Sequence, residues 1–282
     1  HCDYAGMSFH GPALDQPQLI DVDGLDASST WLLSNCELSL LANAQSDVGN
    51  LFFYRAGVRY AQSLRLSLAT FHGDALIPIA NRYYPGYQET ILGSEGLIVS
   101  KRVIAPLQSA EDRALLWQLE CQTEGDTLMR MEVEIDWGEP LTQRLVDGLL
   151  VAQRDPQPGK GVYSQSSASS TRIFGNPLAP PSSAEFDDAA GSARLVWFVL
   201  VNGEVDVELL LTLSDVGEQM AWNGFLALRD SARAREQTER AWQRLLGAGR
   251  LWTPDATLNH KVNRARQRAV QHLVRWKPGF AP

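Results

Sequence analysis

The feature that most narrows the possible folds is a period of two running from about residue 30 to residue 213. In "TLMRMEVEIDW", apolar Met129, Met131, Val133, Ile135 and Trp137 alternate with Arg130, Glu132, Glu134 and Asp136. Successive side chains of a strand point to opposite faces, so this pattern gives one face to a core and the other to water. "ALLWQLEC" does the same with Leu115, Trp117, Leu119 and Cys121, and the turn-forming "QTEGDT" between the two segments predicts a hairpin. A second hairpin is expected where "LVWFVLV" meets "EVDVELLLTL" through Asn202 and Gly203, a pair suited to a two-residue turn with positive φ. "LVWFVLV" is apolar on both faces, which predicts a strand covered from both sides. With "LRLSLATF" and "GLIVSKRVI" as further strands, the chain reads as mainly β, a large antiparallel sandwich.

Two departures interrupt the alternation. Between about 154 and 192 the chain turns rich in Ser, Pro and Gly, which predicts a long surface excursion and a candidate lid. After "TLSDVGEQMAWNGF" the period becomes helical, and "LRDSARAREQTERAWQRLLGAG" predicts a charged helix ending at Gly247 or Gly249. A last helix opens at "TPD", where Thr253 can cap, Pro254 needs no N–H partner and Asp255 favours the positive helix end. Its apolar stripe is Leu258, Val262, Ala265, Ala269 and Leu273, with Lys261, Arg264, Arg266 and Arg268 largely off it. That stripe requires a partner, and "WKPGFAP" reads as a connector leading onward. Three parts follow: a sandwich over 1–213, a helical linker over 214–251 and a single helix over 252–282.

Charge and motifs exclude several functions. A net charge of -8 leaves no basic excess to displace counterions along nucleic acid, and no apolar run reaches the roughly 20 residues of a membrane helix. Cys2, Cys36 and Cys121 stand far apart and without metal-ligand spacing, so neither a disulfide framework nor a zinc site is expected. The thiols favour a reducing, cytoplasmic setting. "DVDGLD" (Asp21, Asp23, Gly24, Asp26) fails as a calcium loop because its final acidic position falls on Leu32. "QPGKGVYS" lacks the spacing of a phosphate loop, and no serine sits between nucleophile-elbow glycines. No cofactor is expected. Asp215 with Glu218, Asp187 with Asp188, and Glu111 with Asp112 read as helix-start charges or solvated loop acids, not as a catalytic pair.

The segment "NRYYPGYQE" places Tyr83, Tyr84 and Tyr87 around Pro85 and Gly86. Tyrosine joins an apolar face to a hydroxyl, which suits a sugar's mixed surface, and Arg82 and Glu89 could hydrogen-bond sugar hydroxyls. Packing of the rings over one end of the sandwich is the competing reading. Arg172, beside the serine-rich loop, is the second candidate for substrate contact.

The order of parts resembles the N-terminal portion of carbohydrate-active enzymes built on a barrel of six helix pairs: glucoamylase-like and glycogen-debranching-like hydrolases, and the maltose and cellobiose phosphorylases. "WTPDATLNHKVNRARQRAV" is similar to the opening of that barrel's first helix, "LSDVGEQMAWNGFLALRD" to the passage into the linker, and "TWLLSN" to the debranching-type N-terminal domain. The resemblance implies a β-supersandwich, then linker helices and the barrel's first helix. Its implied partners are an oligosaccharide or polysaccharide and a helix-barrel catalytic domain, with a homodimer among the expected assemblies. The family's catalytic acids lie in the barrel, so none is carried over to this chain. Loops of the sandwich would help shape the substrate pocket, with Arg82, Tyr83, Tyr84, Tyr87 and Arg172 as candidates. The rival expectation is a stand-alone carbohydrate-binding sandwich.

Overall fold

The computed structural model describes residues 18–20, 30–35, 37–53, 58–84, 86–94, 96–107, 113–154, 170–228 and 232–247, with residues 255, 257–259, 261–262, 265–266 and 269 beyond them. Two antiparallel sheets face each other. The nine-stranded sheet runs in the spatial order β1 (Gln18–Ile20), β6 (Ile77–Tyr84), β7 (Tyr87–Ser94), β8 (Leu97–Ile104), β9 (Ala114–Thr123), β16 (Glu204–Ser214), β13 (Ser170–Gly175), β12 (Leu149–Arg154) and β11 (Thr142–Val146). The seven-stranded sheet runs β14 (Ser183–Asp187), β15 (Ser192–Val201), β10 (Thr127–Asp136), β5 (Val58–Thr70), β4 (Val48–Phe53), β3 (Leu38–Asn43) and β2 (Thr30–Ser34). The alternation in β9 and β10 decides which sides meet: Leu115, Trp117 and Leu119 face Met129, Met131, Val133 and Ile135 in one continuous core.

Both expected hairpins turn out to be sheet-to-sheet corners. β9 pairs with β8 and β16, while β10 pairs with β5 and β15; β15 and β16 likewise lie in different sheets. The two corners touch, since the Thr123 N–H donates to the Gly203 carbonyl at 3.0 Å. Period-two alternation cannot separate the two outcomes. A hairpin sets two apolar faces side by side, a corner sets them face to face, and both bury the same residues.

Two further expectations are corrected. β15 is not covered on both sides, because Phe198 and Leu200 stand exposed on the outer face of the seven-stranded sheet. β9 is instead buried on both faces over its first half, with Ala114 and Leu116 pointing outward beneath helices. The stretch expected as an excursion contains β13, buried along its whole length between β12 and β16, and the edge strand β14. Ser170, Thr171 and Arg172 in β13 gave it the composition of a loop, and it is held by polar contacts made inside the fold. Residues 155–169 lie outside the described residues, as do Asp21 to Asp26.

Two helices follow the sheets, α1 (Glu218–Ala227) and α2 (Ala232–Gly247), so the helical pattern starts one helix earlier than expected. Both cover the outer face of the nine-stranded sheet. Ala221 and Phe225 of α1 and Ala234, Trp242 and Leu246 of α2 pack over Tyr84, Tyr87, Ile104, Leu116, Val151, Ile173 and Leu210. In the last helical stretch the cap is Asp255. Its Oδ1 accepts the N–H groups of Thr257 at 2.8 Å and Leu258 at 3.1 Å, the arrangement of an N-cap; Thr253 and Pro254 lie outside the described residues.

Candidate functional site

The nine-stranded sheet brings both sequence candidates to one end of the sandwich. The β6–β7 turn with its tyrosines, the end of β8, the end of β12 and the start of β13 all lie there, as antiparallel pairing requires. β7 and β13 are four strand spacings apart, or roughly 19 Å at ~4.8 Å per spacing. The candidates therefore share an end without sharing a pocket.

α2 closes the tyrosine turn. Tyr84 is 2% exposed and Tyr87 4% exposed, with ring centroids 5.4 Å apart, so neither ring presents a free face. A Cβ on Gly86 would lie 2.5 Å from Thr238 Cγ2 and 2.7 Å from Trp242 Cδ1, which makes glycine the residue that lets the helix sit on the turn. Tyr83 points the other way, packs against the inter-sheet core and donates its hydroxyl to the Leu32 carbonyl at 3.0 Å. Burial, with the Glu239 carboxylate adding to it, pushes the Tyr87 phenol well above its ordinary range.

Arg172 is fully buried and fully engaged. Nε donates to the Tyr60 carbonyl at 3.0 Å, Nη1 to Ser170 Oγ at 2.8 Å and Nη2 to Glu139 Oε1 at 2.5 Å. Its guanidinium lies 4.4 Å from the Tyr60 ring centroid, and Arg154 pairs with the other Glu139 oxygen. Burial pulls the Arg172 pKa down, and it pushes the Tyr60 phenol up to about 12. Contact with Glu139 favours the charged guanidinium. These groups lock a corner of the sandwich.

Arg82 alone of the five candidates keeps a substantial exposed surface, and it opens a row of charge across the outer face. The row runs Arg82, Glu89, Arg102, Gln118 and Glu208 on five adjacent strands. Glu89 takes Arg82 Nη1 at 3.0 Å, Arg102 Nε at 2.7 Å and Ser100 Oγ at 2.6 Å. Burial alone would raise the Glu89 pKa, but the Ser100 hydroxyl and the two guanidiniums outweigh it and hold the carboxyl below its usual range. Arg102 also grips Glu120, to which Arg235 of α2 reaches at 3.3 Å, so the row ties helix to sheet.

Beyond the charged row no described helix covers the face. Ile77, Gly93, Ile98, Gln122 and Glu204 form one cross-strand row at the sandwich end away from the tyrosine turn. With Ile79 they line a depression of about 870 Å³, and the three isoleucines are 66%, 55% and 50% exposed in sequence order. Sequence reasoning missed this place because aliphatic residues at strand spacing read as core.

The acid pairs have structural roles. Glu218 lies in the first turn of α1 and binds Arg144 at 2.6 Å, while Asp188 Oδ1 accepts the Gln143 N–H at 3.1 Å. Glu111 and Asp112 lie outside the described residues.

No family model matches the chain, and no curated protein matches it in sequence. Among solved structures, a protein described as a kojibiose phosphorylase from the human microbiome superposes with a TM-score of 0.63 at 8% identity, over 85% of this chain and 39% of that one. The fold is a two-sheet β-supersandwich like the part of that structure it covers. A family GH92 α-mannosidase from Bacteroides thetaiotaomicron matches at a TM-score of 0.48 and 9% identity, over 85% of this chain and 38% of that one. A GH36 α-galactosidase from Geobacillus stearothermophilus gives 0.44 and 10%, over 74% and 42% respectively. The supersandwich thus spans less than half the length of each of these structures. No helix among the described residues is long and apolar enough to cross a membrane.

Proposed function

We propose that this chain is the N-terminal supersandwich of a glycoside hydrolase or phosphorylase acting on oligosaccharides or α-glucans. It would comprise a sandwich over 1–213, a linker over 214–251 and the first helix of a barrel over 252–282. The fold likeness supports this reading, and the observation that carries it is the direction of the last helical stretch. Asn259 is buried there and Arg266 donates to the Leu246 carbonyl at 3.0 Å, whereas Leu258, 45% exposed, Ala265 and Ala269 turn outward. The stretch meets the body through Asn259 and Arg266, with Val262 half-buried, and offers Leu258, Ala265 and Ala269 of its apolar stripe to another element. Neighbouring helices of a barrel would cover that stripe. Catalysis in such a protein requires an acid to protonate the leaving oxygen and either an activated water or phosphate to attack. Those groups would come from the barrel, with the loop-bearing end of the sandwich bordering the pocket.

The test is expression of the full open reading frame that encodes this chain, assayed for sugar release and for phosphate consumption on a panel of oligosaccharides. Activity that drops at least tenfold in Leu258→Asp, with melting of the 282-residue chain unchanged, supports the reading. Absence of both reactions on every oligosaccharide contradicts it.

A further inference from the structure

We propose that the bare depression on the nine-stranded sheet is a binding site for a neutral oligosaccharide, separate from any pocket at the loop-bearing end. The choice of sugar rests on the carbohydrate reading above; the site itself rests on shape and chemistry. A volume of about 870 Å³ is within the range of small-ligand clefts, and an apolar floor with a few polar groups at the rim is their usual lining.

The floor is built by register. Gly93 pairs with Ile77 on one side and Ile98 on the other, and a Cβ on it would lie 2.3 Å from Ile79 Cδ1. The missing side chain lets Ile79 lie down over β7, and the three isoleucines form a low apolar step where a taller residue would fill the hollow. Two tight turns bound it, with Gly96 at φ 76° and Gly203 at φ 68°. Neither glycine would meet another atom if given a Cβ, so both turns leave open space above them.

The rim decides the class of ligand. It carries the Gln122 amide, the Ser94 and Thr123 hydroxyls, and the Glu124 and Glu204 carboxylates, and among the described residues no Lys, Arg or His lines it. Neither carboxylate forms an ion pair among the described residues. An acceptor-rich rim favours a ligand that donates many hydrogen bonds, and two unpaired carboxylates repel an anion. A neutral sugar has hydroxyl donors for the rim and C–H faces for the isoleucine step. A sugar phosphate or an acidic polysaccharide does not fit this charge.

The helices reinforce the separation. Among the described residues α2 covers the same sheet face only as far as the Arg235–Glu120 contact, and the three isoleucines of the depression stay exposed with the helices in place. Its floor lies at the sandwich end away from the Tyr84–Tyr87 turn and from β13.

The experiment is a titration of the ¹⁵N-labelled 282-residue chain, followed through the backbone amides of Gly93, Gly96, Gln122 and Gly203. The probes are neutral trisaccharides of glucose, galactose and mannose, with glucose 6-phosphate and a trilysine peptide beside them. At least one neutral trisaccharide is expected to shift these amides together and saturably, with glucose 6-phosphate at least tenfold weaker. Ile98→Asp, at a half-exposed position, is expected to weaken the trisaccharide at least tenfold while the melting temperature holds. Glu204→Gln is expected to keep the fold and narrow the gap between the neutral and phosphorylated sugars. The proposal is overturned if no neutral sugar moves these amides, if shifts appear only at the loop-bearing end, or if trilysine alone binds. Because the readout is local and needs no catalysis, it can succeed where the enzyme assay fails, and the reverse also holds.

Discussion

The two halves of one sheet face behave oppositely. Toward the loop-bearing end, Tyr84, Tyr87, Ile104, Leu116 and Leu210 lie under α1 and α2; toward the other end, Ile77, Ile79 and Ile98 stand in the open. Tyr84, Tyr87 and Ile104 of the covered half lie on the same strands β6, β7 and β8 that carry the open half, so strand propensity is not the difference. What separates them is a row of charge. Arg82, Glu89, Arg102 and Glu120 form a polar boundary that α2 meets with Arg235 and does not cross. Apolar side chains on a sheet therefore become framework or binding surface according to which elements reach them, and here the covering helix comes roughly 150 residues later in the chain.

The strongest way to break this comparison is to unroof the covered half. Trp242→Ala removes a fully buried indole from above Gly86 and should cost about 3–5 kcal/mol, read by urea denaturation. A cost under about 1 kcal/mol would mean that the helix is not seated. Gly86→Ala comes next, because its new methyl meets Thr238 and Trp242; about 1–3 kcal/mol is expected from the same measurement.

The boundary row sharpens the comparison through pH. Glu89 has a depressed pKa in the folded chain, so the unfolded chain takes up its proton first as pH falls. The stability contributed by this carboxylate is fully present above the ordinary carboxylate range and is lost as pH drops through the folded value. Urea midpoints should therefore fall on acidification, and Glu89→Gln should flatten part of that fall. An unchanged pH profile in the variant would remove Glu89 from the boundary's energetics.

The smallest effect belongs to the bare half. Ile98→Ala at a half-exposed position should change stability by no more than about 0.5 kcal/mol. A loss of several kcal/mol would show that the three isoleucines are buried in solution.

The fold was legible where the alternation was local. Met129 to Trp137 and Leu115 to Cys121 point inward as their pattern requires, and the mainly β architecture with helices at its end follows from the order of periods. Connectivity was less legible, since a corner and a hairpin satisfy the same alternation, as at Asn202 and Gly203. β13 was hidden because Arg172 inside the fold looks in sequence like a solvated charge; only Tyr60 and Glu139, brought from two other places in three dimensions and joined by the neighbouring Ser170, make it a core residue. The tyrosine turn was read in two ways, and the burial of Tyr84 and Tyr87 matches packing over the end of the sandwich. Sequence could not choose, because the covering residues Thr238 and Trp242 belong to a distant helix.

Hydroxyl-radical footprinting of the native 282-residue chain tests the division of this face most directly. Tyr84, Tyr87 and Trp242 are intrinsically reactive and should remain unmodified, whereas Ile77, Ile79 and Ile98 should be oxidised despite their lower reactivity. Modification of Tyr84 and Tyr87 at the rate of an exposed tyrosine, with the isoleucines protected, would reverse the two halves and contradict the account.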